Sequence, residues 1–455
     1  MPSRLHRLMP VVPLVFLAGA PMAAAQGSQP LSAEWQACAK SDAAPDDGIA
    51  ACTAIIDSGA ERGQNLSIAH FNRANGWLAK GELDRAIADL SGAIGLDRGN
   101  AKAFFNRGNA WGRLRAHDRA IPDFDEAIKL DPAFVAALGA RGSAYQAIGD
   151  LDRAIVDFDS AIRLAPGDAR PLAMRGVAWR AKGEMDLAIA DFTRALEIAP
   201  NDPSVLGERG ASLHAAGQLD RAIADFTEAI RLDPRLSSAY EYRGLSLLAR
   251  GNLDAAIADF DEALRLDPAD VDTHVSRGTA RLLKGDHDRA FADFEAALRM
   301  APEHAFAWSA RGNAFLGRGE FDRAIADYDR AITLAPNYPV SYSNRARAWR
   351  NKGDFTRALA DLDNAIRLAP TDAASYNSRA WTYQLAGRAA EGLADANRAI
   401  ELNPNDANAF DTRGTIHVKL GLRDKAVADF RKALELNPGL TASSEALKKL
   451  GAARQ

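Results

Sequence analysis

Only two of the 455 residues are cysteine and only eight are histidine. That scarcity excludes a disulfide-dense small-domain scaffold. The two cysteines have no histidine beside them, and no HExxH or comparable metal spacing occurs. A GxSxG nucleophile elbow, a Walker loop and a dinucleotide fingerprint are also missing. The chain therefore offers no catalytic residue, no metal ligand and no cofactor site, and we expect no enzyme. Basic excess is absent too: Lys+Arg number 56 against 60 Asp+Glu. A mildly acidic, evenly mixed chain has no electrostatic footprint for DNA or RNA, and no basic amphipathic helix marks it for a membrane surface.

One segment departs from this average. Arg4, His6 and Arg7 make a positive start, and residues 9–20 form an apolar run interrupted by Pro10 and Pro13. Ala23, Ala24 and Ala25 then precede Gln26. This is the three-part layout of a secretory signal, so residues 1–25 are expected to be cleaved and the protein to be periplasmic or secreted. The run is shorter than the roughly 20 apolar residues that span a bilayer, and no apolar span follows it, so no membrane insertion is expected after cleavage. In an oxidising compartment Cys38 and Cys52 should pair as a disulfide, closing a short loop worth on the order of 3 kcal/mol. The alternative is two buried free thiols packed as small apolar groups.

What the chain has in abundance is itself. Counting by 34 from Ser67, the segments 67–100, 101–134, 135–168, 169–202, 203–236, 237–270, 271–304, 305–338, 339–372, 373–406 and 407–440 align without a gap. Each reads as two helices. Position eight is small (Ala74, Gly108, Gly142, Gly176, Gly210, Gly244, Gly278, Gly312, Ala346, Ala380, Gly414), as close helix packing requires. Position eleven is usually apolar or aromatic, as at Trp77, Trp111 and Trp349; Arg281 and His417 break the pattern and are expected to loosen their repeats. Glycine then closes the first helix in every repeat but one, where Arg115 stands. An aspartate three positions on, such as Asp84, Asp152, Asp220 or Asp322, suits the N-cap of the second helix. That helix has apolar residues at i, i+3, i+4 and i+7, for example Ala154, Ile155, Phe158, Ala161 and Ile162. A proline stops it in all repeats but the first, where Arg98 stands.

Small residue, aromatic, glycine, alanine, aromatic, alanine and proline at these offsets resemble the tetratricopeptide repeat over residues 67–440. The resemblance implies an all-α fold, an α-solenoid of antiparallel helix hairpins forming a right-handed superhelix, whose first helices line a concave groove that grips a peptide or a partner helix. Residues 26–66 look like a degenerate capping hairpin, with helices over 35–41 and from Pro45 onward that Cys38 and Cys52 would staple. An end repeat lacks one neighbour, which makes such a clamp useful. Residues 441–455 read as a C-terminal capping helix and tail, with Ala446, Leu447 and Leu450 covering the last repeat.

Position seven is arginine in all eleven repeats and position twenty-three is aspartate in all eleven, from Arg73 and Asp89 to Arg413 and Asp429. In an antiparallel hairpin the two lie at matching heights, so a ladder of Arg–Asp pairs within or between repeats is expected. The alternative is a cationic stripe for an anionic ligand.

In the family, the second, fifth, sixth, ninth, twelfth and thirteenth positions line the groove. Carried onto this chain, they give a first cluster of Phe71, Asn72, Asn75, Lys102, Phe105, Asn106, Asn109 and Arg113, and a second of Phe306, Asn313, Asn344, Arg347, Arg350, Asn377 and Trp381. Asparagines here resemble the amide ladder of superhelical members, since an amide both donates to and accepts from a peptide backbone. Ordinary solvated helix surface is the competing reading for each residue. The carboxylate clamp of chaperone-binding relatives needs lysine at position five, where this chain has Phe71, Phe105, Gly139, Ala173 and Gly207. A protein or peptide partner is thus expected; a glycan or peptidoglycan, stacked on Trp381 and Phe306, is the alternative. His70 and His274 occupy position four and are expected to pack in the core.

Overall fold

The structure is a computed structural model that describes residues 32–452. The signal segment expected at residues 1–25 lies outside the described residues. Every regular element described is an α-helix, and the chain divides into two bodies, one up to Arg250 and one from Gly251 onward.

The first body holds α1 (Ala33–Cys38), α2 (Pro45–Asp57), α3 (Gly63–Lys80), α4 (Leu83–Leu96), α5 (Ala101–Arg113), α6 (His117–Leu130), α7 (Val135–Ala147), α8 (Leu151–Leu164), α9 (Ala169–Lys182), α10 (Met185–Ile198), α11 (Pro203–Ala215), α12 (Leu219–Leu232) and α13 (Ser237–Ala249). The second holds α14 (Leu253–Leu266), α15 (Val271–Lys284), α16 (His287–Met300), α17 (Ala305–Gly317), α18 (Phe321–Leu334), α19 (Pro339–Asn351), α20 (Phe355–Leu368), α21 (Ala373–Leu385), α22 (Ala389–Leu402), α23 (Ala407–Lys419), α24 (Arg423–Leu436) and α25 (Thr441–Lys449). Within each body a repeat's two helices pack on each other, and each second helix packs on the next first helix. First helices also touch across repeats, as α7 on α9, α9 on α11 and α19 on α21. The first-helix faces are therefore brought side by side.

Local chemistry sets the hairpins. Glycines such as Gly81, Gly183 and Gly285 end first helices in the left-handed region, at φ 78°, 86° and 89°, where no Cβ penalty applies. Arg115 takes the same conformation at φ 59°, alone among the described non-glycine residues. The recurrent aspartate is not the N-cap that the sequence suggested. Helix α8 starts at Leu151, so Asp152 sits inside its first turn and Asp150 caps it, accepting from the Arg153 amide. Asp152 acts instead through the positive end of the helix and through Lys182 of the next repeat, whose Nζ donates to it.

The core is a chain of small seams. Phe192 of α10 is fully buried with Ala188, Ala195 and Leu206 around it, and the same place is held by Phe158 in α8 and Phe294 in α16. Position eight lies under this ring. A Cβ on Gly142, Gly176, Gly210 or Gly278 would stand 2.6–2.9 Å from the facing phenylalanine, so the glycines are required by contact, not by backbone angle.

Helices α1, α2 and α25 flank the repeats among the described residues, with α1 at Ala33–Cys38 where the sequence suggested 35–41. The sulfurs of Cys38 and Cys52 are joined, tying α1 to α2 with Cα atoms 4.8 Å apart, and both cysteines pack with Trp35, Ile55 and Ile68. Helix α25 buries Leu447 against Val427 and Phe430, while Lys448 and Lys449 stay exposed.

Candidate partner-binding surface

The first helices are held by a recurrent ion-pair lattice. Arg73, Arg107, Arg141, Arg175, Arg209, Arg277, Arg311, Arg345, Arg379 and Arg413 each donate through Nε and Nη2 to the position-twenty-three aspartate of their own repeat, at 2.6–3.2 Å. The remaining Nη1 reaches back to the preceding repeat: Arg141 to Asp125, Arg277 to Asp261 and Arg379 to Asp363, each at 2.7 Å. The ladder thus works both within and between repeats, and these arginines are not a stripe awaiting an anion. Forked geometry of this kind fixes direction as well as adding energy. At Asp89 burial pushes the carboxyl up, but hydrogen bonds from Arg73 and His70 outweigh it and hold it below the ordinary carboxylate range.

Arg281 and His417 do not loosen their repeats as the sequence suggested; they join the lattice. Arg281 Nη1 donates to Asp293 Oδ2 at 2.9 Å, and His417 Nδ1 lies 2.9 Å from Asp429 Oδ2. His70 is half-buried, not core as expected, and likewise sits 2.9 Å from Asp89. His274 is half-buried, not core, and its Nε2 meets the Pro268 carbonyl at 3.1 Å.

On this frame the first cluster separates into three kinds of residue. Phe71 and Phe105 are core, not surface: Phe71 packs with Leu78 and Leu90, and the Phe105 ring centroid lies 4.9 Å from that of Phe134. A large apolar group at position five gains more by filling the space between helices than by facing a groove. Lys102 is exposed, and Arg113, also exposed, donates to the Leu78 carbonyl at 3.1 Å. Asn72, Asn75, Asn106 and Asn109 are buried. Asn106 Nδ2 donates to Asn75 Oδ1 at 2.8 Å, which links α3 to α5. Both amide atoms of Asn72 and of Asn109, with Asn75 Nδ2 and Asn106 Oδ1, have no partner.

Further along the same row, Arg180 of α9 donates to Glu208 of α11 at 2.6 Å. Both are buried, and Arg180 Nε and Glu208 Oε1 have no partner. Burial raises the Glu208 carboxyl above its ordinary range against the pull of Arg180. Sequence reading missed this pair because glutamate stands at position six in no other repeat; only stacking brings position twelve of one repeat against position six of the next.

The second cluster is more open. Phe306 is half-buried with its ring 4.8 Å from Tyr338, edge to face, and Trp381 is half-buried on α21. Asn313 and Arg347 are exposed, and Asn344, Arg350 and Asn377 are half-buried. Tyr328 donates its hydroxyl to Asn313 Oδ1 at 2.7 Å. Arg350 Nη1 reaches Thr382 Oγ1 at 3.5 Å; burial, and then the charge of Arg347, hold its guanidinium below the ordinary value. Tyr328 went unnoticed in the sequence, although it is a tyrosine where Phe124, Phe158, Phe192 and Phe294 stand at the equivalent position.

No helix among the described residues is long and apolar enough to cross a membrane. Models of the tetratricopeptide repeat match residues 139–203, 208–271, 275–339 and 344–407, more than half of the chain, and further models match 101–134 and 407–440. The chain is also similar to solved structures. The hetero-tetramer Cut9-Hcn1 of the APC/C is 16% identical with a TM-score of 0.51, over 92% of this chain and 96% of that one. Yeast Tom70 is 18% identical at a TM-score of 0.48, over 85% and 95%. YrrB, described as a repeat protein with an unusual peptide-binding site, is 24% identical at a TM-score of 0.34, over 39% and 92%. No curated protein matches this sequence. Arrays of this repeat are protein-interaction scaffolds, and with its register, hairpins and family matches this chain belongs to the tetratricopeptide repeat family.

Proposed function

We propose that the protein is a non-catalytic scaffold of the periplasm or secreted space that holds an extended polypeptide along its row of first helices. The observation that carries this reading is the asparagine group on α3 and α5. Four buried amides share a single hydrogen bond among themselves. A buried polar group without a partner costs about 1–3 kcal/mol, so such a group calls for a partner, which a water or a ligand supplies. A peptide backbone offers N–H and C=O in alternation and matches amides without demanding one side-chain sequence. The exported location is supported by the layout of residues 1–25 and by the buried Cys38–Cys52 pair.

Selection from a displayed peptide library tests the binding role. Wild type should enrich peptides that Asn106→Ala and Asn109→Ala no longer hold, while Trp381→Ala still does. Retention by the asparagine variants would refute it; capture of a glycan strand, abolished by Trp381→Ala, would favour an envelope-assembly role instead. Mass analysis of the mature protein from its host should find Gln26 at the N-terminus, and an uncleaved chain in the cytoplasm would remove the proposed location.

A further inference from the structure

We propose that the first-helix face of α17, α19 and α21 is a docking site for an acidic peptide segment, whose side-chain carboxylate is received by Arg347 and Arg350 and whose backbone is held by the amides of Asn313 and Asn377. This deepens the reading of the first-helix row as a polypeptide surface, and rests on it.

Arginine is abundant in this chain, but the position-seven arginines are spent on aspartate forks. Arg347 and Arg350 are different. Among the described residues Arg347 makes no hydrogen bond or ion pair, and Arg350 has only the long contact to the Thr382 hydroxyl. Two guanidiniums one helical turn apart repel each other, and burial adds to the cost of Arg350. A carboxylate would relieve both, with the forked geometry that arginine favours.

Asn313 adds an independent pointer. The equivalent amide in the first repeat, Asn75, uses its Oδ1 to accept from Asn106 on the next first helix. In the eighth repeat Tyr328 reaches through the hairpin and occupies Asn313 Oδ1 from behind. Asn313 is exposed, and its Nδ2 is left as a donor. Asn377, on the helix that Arg350 touches, shows the opposite half: its Oδ1 is buried and has no partner. Donors, two positive charges and one unfilled acceptor describe a peptide carrying a carboxylate. A phosphate or sulfate ion supplies nothing to Asn377, and the acidic balance of the whole chain opposes a polyanion such as nucleic acid. The arrangement also differs from a clamp built on lysine at position five, which this chain lacks.

The test is fluorescence anisotropy on the full chain with two labelled octapeptides, one alternating Glu and Ser and one alternating Gln and Ser. The Glu peptide should bind about tenfold more tightly or better, as charge-assisted hydrogen bonds require, and should weaken as salt is raised. Arg347→Gln and Arg350→Gln should each remove most of that preference. Tyr328→Phe should weaken the Glu peptide severalfold with an unchanged melting curve, since phenylalanine fits this position elsewhere in the chain. Asn106→Ala should leave the preference intact, which separates this site from the asparagine group on α3 and α5. Equal binding of the two peptides, indifference to both Arg347→Gln and Tyr328→Phe, or inorganic phosphate binding as tightly as the Glu peptide would each overturn the assignment.

Discussion

A Cβ placed on Gly176 would stand 2.8 Å from Cε1 of Phe192, so the two residues fit because one has no side chain. The exchange runs through the array. Where position eight is alanine, at Ala74, Ala346 and Ala380, position twenty-four shrinks to Leu90, Leu362 and Ala396. Where position eight gains a methyl group, position twenty-four gives up its ring.

Gly176→Ala should destabilise its repeat by about 1–3 kcal/mol through overpacking, despite the better helix propensity of alanine. Adding Phe192→Leu should recover much of that loss. Hydrogen exchange of α9 and α10 amides reads the effect locally; strictly additive single effects would count against the shared seam.

The Arg209–Asp225 fork predicts a second coupling. Asp225→Ala leaves a half-buried guanidinium with the Thr193 hydroxyl in place of its carboxylate and should cost about 3 kcal/mol, seen as lost exchange protection in α11 and α12. Arg209→Ala should cost a similar amount, and the double variant less than the two together. Neutral single variants would show that the lattice is ornamental to stability.

Arg115 carries a left-handed backbone that glycine adopts elsewhere in the chain. Arg115→Gly should raise stability by about 1 kcal/mol, measured as a shift in the urea midpoint. A lower midpoint would mean that the Arg115 side chain contributes more than its strain removes.

Acid should loosen the lattice at Asp89 and Asp293. Burial raises the carboxyls of Asp89 and Asp293, but hydrogen bonds from Arg73 and His70 in one case, and from Arg277 with the charge of Arg281 in the other, hold both below the ordinary range. A depressed carboxylate contributes stability above its unfolded value of about 3.9, and loses it as pH falls through the lower folded value. Melting temperature should thus decline steeply below about pH 4, and Asp89→Asn should flatten that decline.

Reduction of Cys38–Cys52 should detach the α1–α2 hairpin before the rest unfolds, because among the described residues it packs on α3 alone. The loop is worth on the order of 3 kcal/mol, and exchange in α2 should rise with a reductant while α5 to α12 hold. Uniform protection in both states would show that α2 docks by packing alone.

The sequence alone was sufficient for the repeat and the Arg–Asp ladder, because each is a periodic or local signal: a 34-residue register, a stopping glycine or proline, an arginine and an aspartate at fixed offsets. It misplaced the helix N-cap by two residues, since an aspartate in the first turn and one at the cap leave nearly the same trace. Phe71 and Phe105 looked like groove residues by position, yet packing drew them inward. The Arg180–Glu208 pair and the Tyr328–Asn313 lock were decided only by tertiary structure. They join positions that do not recur, on different helices, and a non-periodic contact has no signature in a single sequence until stacking sets the distance.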